Sequence, residues 1–212
     1  MNSTTSIVHV VDDDDSYRIA LQRLLKAAGY QTRAYASAGE FLMTPRESAR
    51  GCVVLDLHLP GPSGLELQEA LSLRGEKLPI IFISGYATIP VSVSAMKAGA
   101  IDFLTKPVKR DVLLEAVEAA MTRAEEMRST EATSRQYQGL TQRERDVLVR
   151  VVGGKMNKEI AAELGIAERT VKAHRAHVMQ KLNANSLPEL VQISGRLQNN
   201  GVPPSNPSAY LI

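Results

Sequence analysis

Over the first 120 positions, short apolar runs alternate with stretches in which apolar residues recur every three or four places. Ile7 to Val11, Val53 to Leu55, Ile80 to Ile83 and Ile101 to Leu104 predict strands, and Tyr30 to Tyr35 predicts a fifth. Ser16 to Ala28, Gly64 to Leu73, Ile89 to Ala98 and Arg110 to Ala120 predict helices, with a short one around Gly39 to Met43. Strand and helix alternating five times predicts an α/β fold, a doubly wound five-stranded parallel sheet with helices on both faces. In such a sheet the functional site lies at the carboxyl ends of the strands.

The pattern changes after residue 120. Positions 121–138 are polar and nearly free of large aliphatic side chains, as expected of a linker, here a partly helical one, between two cores. Residues 139–197 carry three helical patterns. Thr141 and Glu144 form a capping box ahead of Val147, Leu148 and Val151. Asn157 is expected to cap a helix that Gly165 ends, and a tight turn leads into Glu168 to Leu182. Val171, His174, Val178 and Leu182 share one stripe of that last helix, which places His174 in the core. Helix, short glycine turn, helix predicts a small all-α helix-turn-helix domain. The expected organisation is a domain over 1–120, a linker over 121–138, a second domain over 139–198 and a mobile Pro- and Ser-rich tail over 199–212.

Composition narrows the function classes. With 44% apolar and 23% charged residues in a chain of 212, two real cores can form and a mostly disordered chain is excluded. One cysteine, Cys52, cannot make an internal disulfide, and the first six residues lack the features of a signal peptide, so a cytoplasmic protein is expected. The uncharged stretch Leu78 to Met96 is broken by Pro79, Gly85 and Pro90, and no membrane span is predicted. Net charge is only +2, but residues 1–120 carry 12 Lys and Arg against 14 Asp and Glu, while 139–200 carry 10 against 6. The second half therefore has a +4 excess suited to a polyanion.

Chemistry collects at the predicted strand ends. Asp12, Asp13, Asp14 and Asp15 follow the first strand and Asp56 the third; adjacent carboxylates repel unless solvated or neutralised. A hard divalent cation, Mg²⁺ or Mn²⁺, suits Asp12, Asp13 and Asp56, whereas Asp14 and Asp15 suit a solvated helix cap. Ser84 ends the fourth strand and Lys106 the fifth. Carboxylate, hydroxyl, ammonium and metal site at one sheet edge make a phosphoryl-transfer constellation.

Val10-Val11-Asp12-Asp13-Asp14-Asp15, Val53 to Gly61 (VVLDLHLPG), Ile81 to Gly85 (IFISG) and Asp102 to Pro107 (DFLTKP) resemble the flavodoxin-like receiver domain of bacterial response regulators over about residues 7–120. The resemblance implies that Asp56 is the phosphoacceptor and Asp13 a direct metal ligand, with Asp12 acting mostly through water and the His58 carbonyl completing the site. It also implies that Ser84 and Lys106 bind the phosphoryl group. Phe103 stands at the family's switch aromatic, without the hydroxyl that Tyr carries there in other members, and the face built from Ile89 to Ala98 and Ile101 to Leu104 would pair two receivers. The side chain of His58 stands where size and polarity govern access of hydrolytic water.

On the predicted recognition helix, Arg169, Lys172, Ala173 and Ala176 fall at i, i+3, i+4 and i+7, which sets basic side chains beside small ones that permit close approach to a major groove. The runs Leu140 to Leu148 (LTQRERDVL), Asn157 to Ile166 (NKEIAAELGI) and Arg169 to Leu182 (RTVKAHRAHVMQKL) resemble the LuxR-type effector domain of the NarL/FixJ class. That resemblance implies Lys172 and Ala173 at base edges, with Lys158, Arg169, Arg175 and Lys181 nearer phosphates and His177 at a phosphate or in solvent. Ala167 replaces the capping Ser of many relatives, so the recognition helix is expected to begin late or fray.

The two halves together predict a phosphorylation-dependent, DNA-binding transcriptional regulator rather than a dedicated enzyme. The expected partners are a sensor histidine kinase, promoter DNA and a second copy of the chain, with RNA polymerase a further candidate. The alternatives are a transcription factor with a vestigial receiver and a phosphatase of the haloacid dehalogenase type. The phosphatase needs a second Asp two residues after the nucleophile, where this chain has His58.

Overall fold

The computed structural model describes residues 6–43, 45, 50–86 and 88–199. The chain divides into two compact units between Met127 and Arg128. The expected tail lies, from residue 200 onward, outside the described residues.

The first unit alternates β1 (Ile7–Val11), α1 (Asp15–Ala27), β2 (Gln31–Tyr35), α2 (Ala38–Leu42), β3 (Gly51–Asp56), α3 (Gly64–Leu73), β4 (Ile80–Ser84), α4 (Ile89–Lys97) and β5 (Asp102–Thr105), and ends on the start of α5 (Arg110–Gln138). All neighbouring strands pair in parallel, in the order β2-β1-β3-β4-β5. Every residue of β3 and β4 is buried, which explains their unbroken apolar runs: a sheet covered on both faces leaves no polar side to alternate with. Alternate residues serve opposite cores. Val53 and Leu55 pack with Leu67, Leu71 and Phe82, while Cys52 and Val54 pack with Leu21, Leu25, Leu113 and Val117. Burial lifts the Cys52 thiol to about 12, so it is a core side chain and not a nucleophile. Gly51 has φ +114°, and a Cβ there would overlap the Ile7 carbonyl oxygen, so only glycine permits β3 to start beside β1.

Positions 121–138 are helical throughout, as the second part of the 29-residue α5. The second unit adds α6 (Gln142–Val152), α7 (Asn157–Leu164), α8 (Glu168–Lys181) and α9 (Leu187–Asn199). Val147, Leu148, Ile160, Val171, Val178, Leu182, Leu190 and Ile193 form its core, joined by Tyr137 from the end of α5. Among the described residues four helices thus follow Gly139, where the sequence pattern predicts three. No helix among the described residues is long and apolar enough to cross a membrane.

Three local expectations are corrected. Asn157 is not the cap of α7 but its first helical residue. Met156 is the cap, and its N–H is satisfied by Glu159 Oε2 at 2.7 Å, while Asn157 Oδ1 accepts from Arg175 at 3.3 Å. The recognition helix α8 does not start late. Ala167 caps it without a side-chain bond, and its carbonyl accepts from Thr170 and Val171 at 2.9 and 3.2 Å. His174 is half-buried and not in the core, because at about 100° per residue it sits some 60° from Val171, at the margin of the stripe.

Candidate functional site

Strand register assembles the site. Val11 pairs with Leu55, so the next residues, Asp12 and Asp56, leave the sheet side by side although 44 positions separate them. Asp56 pairs with Ile83, and Ser84 with Thr105, so Ser84 and Lys106 follow one step further along β4 and β5. At the start of α3, Gly64 N–H donates to the Leu57 carbonyl at 3.0 Å, and a Cβ on Gly64 would overlap the Asp56 carbonyl oxygen.

Lys106 Nζ donates to Asp12 Oδ2 at 2.8 Å and to Asp56 Oδ2 at 2.5 Å. Asp12 and Asp56 are buried, Asp13 is exposed, and one oxygen of each lies within 4.8 Å of the others, a carboxylate cluster that could hold a metal ion. Burial, with the neighbouring Asp56 charge, pushes the Asp12 carboxyl above the usual carboxylate range despite its bonds to Lys106 and the Asp14 N–H. Burial alone would depress the Lys106 ammonium, but the two carboxylates outweigh it and hold it above its ordinary value. The remaining oxygens are anchored by backbone: Asp56 Oδ1 accepts from His58 N–H at 3.0 Å, and Asp12 Oδ1 from Asp14 N–H at 2.9 Å. Asp14 caps α1 by accepting from Ser16 and Tyr17 N–H.

Ser84 is fully buried; its hydroxyl donates to the Tyr86 carbonyl at 2.8 Å and lies 3.3 Å from Nδ1 of the exposed His58. Phe103 is half-buried and stacks on Phe82 with ring centroids 5.9 Å apart. Two residues outside the sequence expectation also line the site. The Tyr17 ring centroid lies 4.5 Å from Lys106 Nζ, and Arg18 donates to the Asp12 carbonyl at 2.6 Å. Their only signal in the sequence is position, one helical turn beyond the Asp run.

In the second unit, Lys158, Arg169, Lys172, Ala173, Ala176 and His177 are exposed. Lys172 lies 3.8 Å from Glu168. Arg175 bonds Asn157, and Lys181 Nζ lies 2.7 Å from the buried Glu144 carboxylate and 3.4 Å from the Gly139 carbonyl. His177 Nδ1 lies 3.7 Å from the other Glu144 oxygen. Burial would raise the Glu144 carboxyl, but bonds from Lys181 and Thr141 outweigh it and hold the group below its ordinary value.

The chain matches the response regulator receiver domain over residues 8–118 and the bacterial regulatory proteins of the luxR family over residues 138–194. It is 40% identical over 203 residues to the response regulator protein TodT of Pseudomonas putida, covering 94% of this chain and 89% of that protein. It is 45% identical over 191 residues to the transcriptional regulatory protein FixJ of Azorhizobium caulinodans, covering 88% and 90%. Among solved structures, the response regulator StyR matches with a TM-score of 0.70 at 44% identity, over 91% of this chain and 99% of that one. The chain therefore belongs to the response regulators of the NarL/FixJ class, transcriptional regulators that join a receiver to a LuxR-type DNA-binding domain and are not dedicated enzymes.

Proposed function

We propose that Asp56 accepts a phosphoryl group from a partner histidine kinase and that this event controls DNA binding by the second unit. The observation that carries the reading is the convergence of Asp12, Asp56 and Lys106 at 2.5–2.8 Å with Asp13 beside them. A carboxylate oxygen of Asp56 attacks phosphorus; the O–P bond forms as the P–N bond to the donor imidazole breaks, and the electron pair leaves on nitrogen. Asp12, Asp13, Asp56 and the His58 carbonyl would hold Mg²⁺ or Mn²⁺, which when bound supplies neutralisation and orientation of phosphoryl oxygens. Lys106 exchanges an Asp56 oxygen for a phosphoryl oxygen, and Ser84 turns its hydroxyl from the Tyr86 carbonyl toward the same group. His58, beside both, governs the approach of hydrolytic water.

Phosphorylation shifts the protein only if the two arrangements bind the new charge differently. The Ser84–Tyr86 bond and the Phe103–Phe82 stack are the contacts that would rearrange. Tyr86, Ile89, Val93 and Met96 expose apolar surface on and before α4. That face suits pairing of two phosphorylated receivers, each bringing one effector domain to a two-fold operator. There Lys172 and Ala173 read base edges, and Lys158, Arg169, Arg175, His177 and Lys181 lie toward phosphates.

Incubation with a small phosphodonor and Mg²⁺ should label the wild type and leave Asp56→Asn unlabelled, and donor treatment should tighten promoter binding in a gel shift. Stoichiometric labelling of the variant would reject the acceptor assignment. Promoter binding indifferent to the donor would favour the vestigial-receiver alternative.

A further inference from the structure

Lys106 has a conflict to resolve. Its ammonium sits on Oδ2 of Asp56, one of the two carboxylate oxygens available for attack, yet it is needed a few ångström away once the phosphoryl group arrives. A lysine is a compact charge on a flexible four-carbon stem, and one released by its carboxylate partner tends to swing into water. An anchor that attracts a cation without consuming a carboxylate would prevent that.

The structure supplies one. The face of the Tyr17 ring lies over Lys106 Nζ, 4.5 Å from ring centroid to nitrogen. The ring is itself held from two directions: the Tyr17 backbone N–H donates to the Asp14 carboxylate at 3.1 Å in the first turn of α1, and the side chain is half-buried against the core that contains Leu21, Leu25 and Leu113. Neither of these two holds involves Lys106 or its carboxylate partners. The side chain of Lys106 is only 19% exposed, so the attraction acts with partial exclusion of water, where it is stronger than at an open surface.

We propose that Tyr17 is a positioning residue for Lys106: its ring face retains the ammonium in the pocket while the lysine trades Asp56 for the incoming phosphoryl group. This inference rests on the phosphoacceptor reading of Asp56. The ring is the required element, and the phenol oxygen is not.

The test uses the full chain, a small phosphodonor and Mg²⁺. Tyr17→Phe, which retains the ring, should be labelled at close to the wild-type rate. Tyr17→Leu should be labelled about 10-fold more slowly, the size expected for a partly desolvated cation–π contact. In a Lys106→Met background, Tyr17→Leu should cause no further loss, which a general structural defect at α1 would not spare. Without donor or metal, the Lys106 ε-methylene proton resonances should be shifted upfield by the ring current in the wild type and in Tyr17→Phe, and should return downfield in Tyr17→Leu. Tyr17→Met replaces Tyr17→Leu should the latter fail to melt cooperatively.

Labelling of Tyr17→Leu at the wild-type rate, or an equal loss in the Lys106→Met background, would overturn the proposal. If the wild type took no label while the ring-current shift was present, the acceptor reading would fall and this role with it. If labelling was normal and the shift absent, only Tyr17 would be misassigned.

Discussion

Lys106 and Asp56, fifty residues apart in the chain, meet at 2.5 Å, and the same ammonium reaches Asp12 at 2.8 Å. One cation thus holds two buried carboxylates that would otherwise repel each other. Lys106→Met should lower receiver stability by about 2–3 kcal/mol, near the low end for breaking a buried pair because the lysine is partly exposed. Mg²⁺ should then raise the melting temperature more in the variant than in the wild type, since the ion takes over the missing charge. An equal Mg²⁺ shift in the two proteins would contradict this arrangement.

Glu144 serves two partners, accepting from Thr141 N–H at 2.7 Å within the capping box and from Lys181 at 2.7 Å. Glu144→Gln retains a reciprocal cap but loses the ion pair, at a cost of about 1 kcal/mol given that the lysine is partly solvated. The Glu144 carboxyl is held below its ordinary value of 4.5, so its stabilisation is present above that value and disappears as pH falls through the lower folded value. Urea titrations of the two proteins should therefore differ at pH 7 and converge in strong acid; identical midpoints at pH 7 would show that the pair contributes nothing.

His9 is fully buried between Tyr35 and Phe41, with Nδ1 3.1 Å from the Tyr35 hydroxyl and Nε2 without a hydrogen-bond partner among the described residues. Burial lowers its pKa from 6.5 to about 4. As pH falls below 6.5 the unfolded chain takes up a proton that the native state refuses, so stability drops through the window between 6.5 and 4 by a total of about 3 kcal/mol. His9→Phe should flatten that slope. Pulsed hydrogen exchange of β1 amides against urea at pH 7 and pH 4.5 reads the difference, and an unchanged slope in the variant would remove His9 from the acid response.

On α8, Lys172 is exposed at 66% of its side chain, whereas Lys181 is tied to Glu144. Lys172→Ala should relax base preference at one operator position, by about 1–3 kcal/mol of lost discrimination. Lys158→Ala should weaken all sequences alike and reduce the salt slope by about one. Lys181→Ala should in addition loosen the end of the recognition helix through the lost Glu144 pair, seen as a lower melting temperature of the second unit. Intact operator selectivity in Lys172→Ala would shift the expected reading register.

What could be read in advance follows from local physics. β1, Ile7–Val11, is legible to the residue because a strand covered on both faces is a nearly continuous apolar run, broken here by His9 alone. The acidic cluster is legible because Asp12 and Asp56 each directly follow such a run. The helical course of 121–138 is only partly legible: its Ala, Glu, Arg and Met residues favour helix, but without an apolar stripe the composition reads equally as a linker. The last helix, α9, does carry a signal, Leu190, Ile193 and Leu197 at i, i+3 and i+7, which Pro188 in the first turn obscures although proline is tolerated there. The contacts from Tyr17 to Lys106 and from Glu144 to Lys181 span 89 and 37 positions and leave no trace in any local pattern.

The neutralising cation of this sheet edge, Lys106, directly follows its last strand in chain order. A polypeptide emerging from the ribosome has Asp12 and Asp56 in hand long before position 106, and until β5 appears β4 also presents an open rim. Native docking of the early strands is therefore expected to wait, with the receiver closing as one late cooperative event. Nascent chains stalled with β5 still inside the exit tunnel should stay open to protease digestion, and early protection would argue for stepwise closure.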